Sequence, residues 1–303
     1  MSNIRIIGNG IYLPKYKIEN SILEKQLGLE KGYIQKRTGI KKRFYAKEEK
    51  IEEMAFNAAT KCLKENKEVD LIITSTTSTK ILMPGISNYI QKKLNINKCI
   101  CLDILAGCSG YINALDIAKM YIDSGKVKKA LIIGVDKLSD YVNNKDTNTS
   151  IILADGAGAT LIEKVEEEKE YFSYIETKSD DEEILTSKTE EKIQMDGKKV
   201  YKYAVIQTVN NINKLLEISN KKLDDIKYII PHQSNMRIMK SISKRLNIGT
   251  NKIYTNIENV GNTFCASIPI ALNEIIEKEL LKSGDKIILL RIWWRTKHRK
   301  YIN

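Results

Sequence analysis

The sequence predicts an α/β fold made of two similar halves. Short apolar runs typical of buried strands alternate with amphipathic helical segments, and the same order of segments occurs twice along the 303 residues. A polar stretch rich in Glu, Lys, Asp and Ser, residues 165–192, separates the two series. Alternating strands and helices are typical of buried, mainly parallel sheets. We therefore expect one half over residues 1–164 and the other over residues 165–303, with an atypical tail from residue 291.

The first half contains four predicted strands and two predicted helices. In chain order they are a strand at 70–75, a helix at 86–94, a strand at 99–104, a helix from Ser109 to about Tyr121, and strands at 130–135 and 157–162. The small residues Ala106, Gly107 and Gly110 form a turn between the second strand and the second helix, and they permit close approach of a substrate.

The second half repeats this order. Its elements are a strand at 225–230, a helix at 235–246, a short strand at 252–256, a helix at 266–281 and a strand at 286–290. Cys108 and Asn262 take equivalent positions in the two halves, after a strand and at the start of a helix. His232 follows the strand that corresponds to the one ending at Thr74-Ser75. A duplicated α/β unit therefore brings these three side chains to the interface between the halves.

Composition is that of an ordinary soluble globular protein, with 42% hydrophobic and 29% charged residues. Five cysteines without regular spacing argue against a disulfide framework and predict a reducing, cytoplasmic setting. The first residues lack the apolar stretch of a signal peptide. No segment is long and apolar enough to cross a bilayer, so a membrane partner is not expected.

The net charge of +12 suits an acidic protein or coenzyme phosphates as partners. Nucleic acid is not the expected partner, because the lysines are scattered and no arginine-rich block or aromatic-basic signature occurs. The abundance of Lys, Ile and Asn is also explained by AT-rich coding.

Cys108, His232 and Asn262 together predict acyl chemistry on a thiol. Cys108 begins a helix, where the positive end of the helix dipole favours the thiolate and lowers the thiol pKa. His232 is one of two histidines and stands where an apolar run, Tyr228 to Pro231, ends in polar residues. Taken singly, each has a simpler interpretation: a buried cysteine, a satisfied core histidine, a turn asparagine. The remaining cysteines are interpreted as structural, without a zinc site: Cys62, Cys99, Cys101 and Cys265.

At these segments the sequence resembles the β-ketoacyl-acyl-carrier-protein synthase III family of thiolase-like condensing enzymes, from residue 4 to about residue 290. The matching motifs are Arg37-Thr38-Gly39-Ile40, Ala106-Gly107-Cys108-Ser109-Gly110-Tyr111, Ala154-Asp155-Gly156-Ala157-Gly158-Ala159, Pro231-His232-Gln233-Ser234-Asn235-Met236-Arg237-Ile238, Gly261-Asn262-Thr263 and Ala266-Ser267-Ile268-Pro269. The resemblance implies a thiolase-like fold with five layers, αβαβα, formed by two duplicated βα halves. It also implies a homodimer.

The resemblance implies a decarboxylative Claisen condensation in fatty-acid initiation or a related pathway. Cys108 would take an acyl group from acyl-CoA or an acyl-carrier protein as a thioester. Malonyl-acyl-carrier protein would then lose carbon dioxide, and His232 and Asn262 would stabilise the resulting enolate before it attacks the acyl group. No metal or redox cofactor is expected.

Binding roles outside the catalytic set follow from the same resemblance. Arg37 is a candidate phosphate contact for CoA. Tyr33 replaces the tryptophan that stacks on the CoA adenine in many members, and Thr147 replaces an arginine on the other side, so this clamp is expected to be weak.

The carrier protein and the acyl group also have candidate contacts. Arg237 matches a position that docks the acidic carrier protein, and Lys244 and Arg245 extend that basic patch. Met83 replaces a phenylalanine that closes the acyl pocket across the dimer interface, and a flexible methionine there is expected to change the preferred acyl length.

The tail is the largest departure from the family pattern. The family has Gly-Phe-Gly-Gly-Gly-Leu, with a backbone N–H acting as an oxyanion donor beside that of Cys108, where this chain has Arg291 to Thr296. One codon set for these residues, read one base later, encodes the glycine-rich sequence, so we hypothesise a change of reading frame near codon 290. Two alternatives remain open: a non-condensing acyltransferase, and a catalytically impaired dimeric family member.

Overall fold

Eleven strands and nine helices make up the part of the chain that the computed structural model describes, residues 2–66, 68–143, 145–177, 182–188 and 191–291. The strands are β1 Ser2–Tyr12, β2 Tyr16–Glu19, β3 Lys42–Tyr45, β4 Leu71–Ser75, β5 Ile100–Ile104, β6 Lys129–Asp136, β7 Gly156–Lys169, β8 Leu185–Thr186, β9 Gln194–Met195, β10 Ile226–Pro231 and β11 Lys286–Leu290. The helices are α1 Asn20–Gln26, α2 Tyr33–Thr38, α3 Ile51–Leu63, α4 Ile86–Lys93, α5 Gly110–Asp123, α6 Gly197–Ser219, α7 Met236–Leu246, α8 Ile257–Val260 and α9 Ser267–Glu277.

The first sheet has five strands in the order β1-β7-β6-β4-β5. Its interior strand β4 is buried at all five positions, because helices cover both faces of the sheet. β4 runs parallel to β5 and β6, whereas β7 runs antiparallel to β6 and β1. In this sheet the expectation of mainly parallel pairing therefore holds only around β4. Between β6 and β7 the described residues form a short 3-10 turn, Leu138–Tyr141, and none of them forms the crossover helix that parallel pairing requires.

The sheets and helices stack in the expected five layers. α3 packs on the outer face of the first sheet against β1, β6 and β7. α5 packs against β4 and β6, and α9 packs against β7 as well as β10, so both helices lie between the two sheets. The second sheet is β10 parallel to β11, and α6 and α7 cover its outer face. Burial of each Ile or Leu in these layers contributes about 1.5–3 kcal/mol.

A 3-10 turn, Phe264–Ala266, precedes α9 and lies directly against β6. Gly134 of β6 makes this approach possible, because a Cβ atom there would lie 2.2 Å from the carbonyl oxygen of Cys265. Such a distance is far shorter than van der Waals contact. The glycine therefore lets the Phe264–Ala266 turn pack directly on the first sheet, in contact with the turn that contains Cys108.

Two predicted elements differ from the structure. The strand predicted at 252–256 is reduced to one bridge between Ile253 and Ile229, because the 3-10 turn Thr250–Lys252 occupies the preceding residues. The helix predicted at 266–281 ends at Glu277. β7 continues past the predicted boundary between residues 164 and 165, and the two-half division stays a prediction. The tail beyond Arg291 lies outside the described residues. In the described part of the chain, no helix has both the length and the apolarity needed to cross a membrane.

Candidate active site

Cys108, His232 and Asn262 line one cavity of about 660 Å³. Cys108 comes from the first half, where β5 leads into α5, and the other two come from the second half, after β10 and before α9. Each of the three side chains is at most 7% exposed. The structure thus brings all three candidates to one cavity.

Cys108 lies in a 3-10 turn, Gly107–Ser109, immediately before the first residue of α5. Burial raises the pKa of its thiol to about 12, and the nearby charge of Asp136 acts in the same direction. The sequence had predicted a lowered pKa at a helix N-terminus, and that prediction is wrong for the unliganded protein. Loss of hydration outweighs the helix dipole and the opposing charge of Arg291.

His232 follows the last residue of β10, and its main-chain N–H donates to the carbonyl of Leu290 in β11 at 2.8 Å. Its Nδ1 atom lies 2.6 Å from Ser267 Oγ, which also accepts a hydrogen bond from the N–H of Gln233 at 3.3 Å. Burial lowers the pKa of the imidazole to about 3. His232 is therefore neutral at physiological pH, with one nitrogen held by Ser267.

Asn262 is held by its main chain on both sides. Its N–H donates to Ile152 O at 3.0 Å, and its carbonyl accepts from Ala154 N at 2.9 Å. Its side-chain Oδ1 accepts from the N–H of Phe264 at 3.0 Å. Because the carbonyl end of the amide is engaged, the NH₂ end is oriented as the donor. Gly261 has φ +73°, and a Cβ atom there would lie 2.8 Å from Ala154 Cβ. The close packing of this loop against Ala154 therefore requires glycine.

Sequence reasoning missed three residues that support this site. Asp136, fully buried at the end of β6, accepts hydrogen bonds from Thr77 N and Thr77 Oγ1 at the end of β4 and from Cys265 N in the turn before α9. The Cys265 thiol donates to Gly107 O at 2.9 Å. Ser267 is the third. The sequence offers one signal for Asp136, a carboxylate directly after a predicted buried strand. Its hydrogen-bond partners cannot be read from that signal, because they lie up to 129 residues away in the chain.

Polar residues from both halves surround other parts of the same cavity. Tyr33, Arg37 and Thr147 all line it, as does Arg237. The guanidinium carbon of Arg37 lies 5.8 Å from the centre of the Tyr33 ring, and that of Arg237 lies 5.8 Å from the Tyr201 ring. These cations thus have aromatic neighbours.

Three predicted binding residues do not line this cavity. Lys244 and Arg245 border a separate groove of about 470 Å³ together with Lys202. Met83 is 86% exposed on the surface of the single chain. Among the residues that the structure describes, no group of three or more His, Cys, Asp and Glu side chains is placed to hold a metal ion.

Comparison with known proteins identifies the family. The model of 3-oxoacyl-[acyl-carrier-protein] synthase III matches residues 102–181, and its C-terminal counterpart matches residues 216–292. The β-ketoacyl-[acyl-carrier-protein] synthase III of Clostridium tetani is 39% identical over 95% of this chain and 94% of its own length. The chain belongs to the 3-oxoacyl-[acyl-carrier-protein] synthase III family. The family's enzyme from Aquifex aeolicus is likewise 39% identical over 94% of each chain.

Solved structures of the family share the fold. The crystal structure of the Aquifex aeolicus synthase III has a TM-score of 0.92 at 38% identity, with 95% of each chain covered. That of Thermus thermophilus has a TM-score of 0.89 at 28% identity, with 94% of each chain covered. The predicted family, thiolase-like fold and enzyme class, a condensing acyltransferase, are confirmed.

Proposed function

We propose that this chain condenses an acyl thioester with malonyl-acyl-carrier protein at the cavity formed by Cys108, His232 and Asn262. Acyl-CoA or an acyl-carrier protein serves as donor, and the product feeds fatty-acid synthesis or a related pathway. The meeting of a thiol and two neutral hydrogen-bond donors in one cavity carries the proposal.

The first stage transfers the acyl group to Cys108. Its sulfur attacks the thioester carbonyl carbon, the new C–S bond forms, and the donor's sulfur leaves with the electron pair and the thiol proton. The resting thiol is protonated because its pKa is about 12. The N-terminal turn of α5 supplies the positive end of a helix dipole as negative charge develops on the sulfur.

The second stage uses His232 and Asn262 as donors. Ser267 Oγ lies 2.6 Å from Nδ1 and donates to it in the tautomer that carries the imidazole proton on Nε2, while the Phe264 N–H fixes the carbonyl end of the Asn262 amide. Two N–H groups then hold the malonyl thioester oxygen as carbon dioxide leaves and its bonding electrons pass to the adjacent carbon. That carbon attacks the acyl carbonyl carbon, the C–S bond to Cys108 breaks, and the sulfur leaves as a thiolate that takes up a proton from solvent to restore the resting thiol. Neither step requires a metal or a redox cofactor.

Basic residues support docking of an acidic carrier protein next to the cavity. Arg237, at the start of α7, lines the cavity. Lys244 and Arg245, near the end of the same helix, border the groove that also contains Lys202 of α6. The net charge of +12 acts in the same direction and favours encounter with an anionic partner.

A homodimer and a cytoplasmic setting complete the proposal. β5 is the terminal strand of the five-stranded sheet, and the nearby Leu82, Met83 and Leu105 are 90%, 86% and 63% exposed. A second copy would cover this apolar surface and bring Met83 to the partner's acyl pocket. None of the five cysteines, all of which lie among the described residues, forms a disulfide, and this agrees with a reducing compartment.

Intact-protein mass spectrometry tests the proposal. The protein is incubated with a series of acyl-CoAs and acyl-carrier proteins, and Cys108→Ala serves as the control. We expect one acyl adduct in the wild type and none in the variant, followed by release as a 3-oxoacyl product when malonyl-acyl-carrier protein is added. An adduct that malonyl-acyl-carrier protein does not release would instead support the non-condensing acyltransferase. A folded protein without any adduct would contradict both functions.

A further inference from the structure

Phe264 places an aromatic ring beside the three proposed catalytic groups. It is the first residue of the turn before α9, is 9% exposed and lines the same cavity as Cys108 and His232. Its ring meets the His232 ring edge to face, with centroids 6.3 Å apart and an angle of 80° between the planes. A phenyl group therefore occupies space immediately next to the reacting centre.

The same ring belongs to the apolar cluster that surrounds the nucleophile. This cluster contains Cys108 and Phe264 together with large side chains from both halves, including Leu153 and Ile193, which also line the cavity. An acyl chain attached to Cys108 is expected to lie among these side chains, because they form the apolar cluster that contains the Cys108 side chain, whereas the lining elsewhere includes the cations Arg37 and Arg237. The space that the Phe264 ring leaves free therefore limits how long that acyl chain can be.

The main chain at Phe264 is unfavourable for an aromatic residue. Its φ is +41°, in the left-handed region where bulky side chains are rare. Glycine or asparagine would hold this conformation more easily and would still donate the main-chain hydrogen bond to Asn262 Oδ1. The hydrogen bond therefore does not explain the phenyl side chain, whereas a role for the ring in the cavity does.

We infer that the Phe264 ring sets the upper size limit for the acyl group on Cys108, so that removal of the ring admits longer unbranched groups such as octanoyl. The inference rests on the proposed role of Cys108 as the acyl carrier. Phe264 acts by excluding volume and takes no part in proton or electron transfer. Apolar pockets discriminate by about 10- to 200-fold per methylene group, so one phenyl ring is sufficient for such a limit.

Chain-length profiles of two matched variants test the inference. Phe264→Ala and Phe264→Gly both remove the ring, but only glycine also relieves the positive φ. The initial rate of Cys108 acylation is measured by intact mass with acetyl-, butyryl-, hexanoyl- and octanoyl-CoA. We expect the octanoyl-to-acetyl rate ratio to rise by about tenfold or more in both variants. Phe56→Ala, on α3 and outside the cavity lining, controls for loss of a phenyl group elsewhere and should keep the wild-type profile.

The outcomes separate this inference from the proposed function. Acylation of all proteins with unchanged profiles overturns the size limit and leaves Cys108 as the nucleophile. If the chain-length profile changes in Phe264→Ala but not in Phe264→Gly, main-chain strain explains the effect, and the size limit proposed for the ring is also overturned. Should alanine prevent folding, Phe264→Leu, which keeps an apolar but smaller side chain, must still shift the ratio upward. Absence of any adduct in the wild type overturns both proposals.

Discussion

Burial makes Cys108, the proposed nucleophile, and His232 neutral before substrate binds. It raises the pKa of Cys108 to about 12 and lowers that of His232 to about 3. Both shifts have the same physical origin, since a buried site disfavours the charged form of either group. Negative charge on sulfur and on the enolate oxygen therefore arises only during the reaction, where fixed N–H donors meet it.

The raised thiol pKa predicts how Cys108 reacts with iodoacetamide. Only the thiolate reacts, and below a pKa of about 12 the thiolate fraction grows about tenfold per pH unit. We expect the alkylation rate of Cys108, followed by peptide mass spectrometry, to rise steadily from pH 7 to pH 9. Cys108→Ala identifies the labelled peptide. A rate that levels off near neutral pH would show an activated thiolate in the resting protein and contradict the expectation.

Ser267 is predicted to act on the second stage, because its hydroxyl contacts His232. Ser267→Ala removes the partner of Nδ1 and frees the imidazole to change tautomer. We expect condensation with malonyl-acyl-carrier protein to slow by about 10²-fold, comparable to the loss of one oxyanion donor. Acylation of Cys108, measured separately by intact mass, should remain.

Two further variants control this prediction. Ser267→Thr keeps the hydroxyl and should restore much of the rate. Ser243→Ala removes another buried serine hydroxyl, one that bonds Ile248 O in the second half, and should leave condensation unchanged. Equal losses in both stages for Ser267→Ala would indicate a structural role.

At the scale of elements, Asp136 joins three chain segments at the site. It accepts from Thr77 N after β4 and from Cys265 N before α9, while its own position ends β6. Asp136→Ala would leave these N–H groups without an acceptor, at about 1–3 kcal/mol for each one that stays buried. We expect a clear fall in melting temperature, with a smaller fall for Asp136→Asn, which keeps one oxygen. Asp123→Asn, at the exposed end of α5, is the control and should melt like the wild type.

The sequence was sufficient to predict the strand–turn–helix units because each depends on local signals. Cys108 and Asn262 stand at changes from an apolar run to small or polar residues, and such changes mark the ends of elements. The roles of Asp136 and Ser267 depend on partners in other elements, and no pattern along the chain reveals such contacts. The pKa of Cys108 was mispredicted for a related reason: burial depends on the whole fold, whereas the helix dipole is visible locally.

At the scale of the whole molecule, the exposed apolar residues beside β5 predict the oligomeric state. Leu82 and Leu105 should become buried when two copies meet. We expect the wild type to have twice the mass of one chain by light scattering, and Leu82→Asp combined with Leu105→Asp to shift it to the monomer. Ile218→Asp, which places a negative charge at an exposed apolar position on α6 instead, should leave the dimer intact. A monomeric wild type would contradict the homodimer.

The cavity between the halves also has a pharmacological consequence. The proposed donors His232 and Asn262 and the proposed nucleophile Cys108 lie far apart in the chain, so their alignment depends on the turn that Gly134 lets approach β6. A misplacement of about 1 Å between reacting groups is enough to slow an enzyme about 10²-fold. A small molecule that binds between this turn and β6 would therefore inhibit the enzyme without reacting with the thiol. Substitutions at Cys108 would not confer resistance to it.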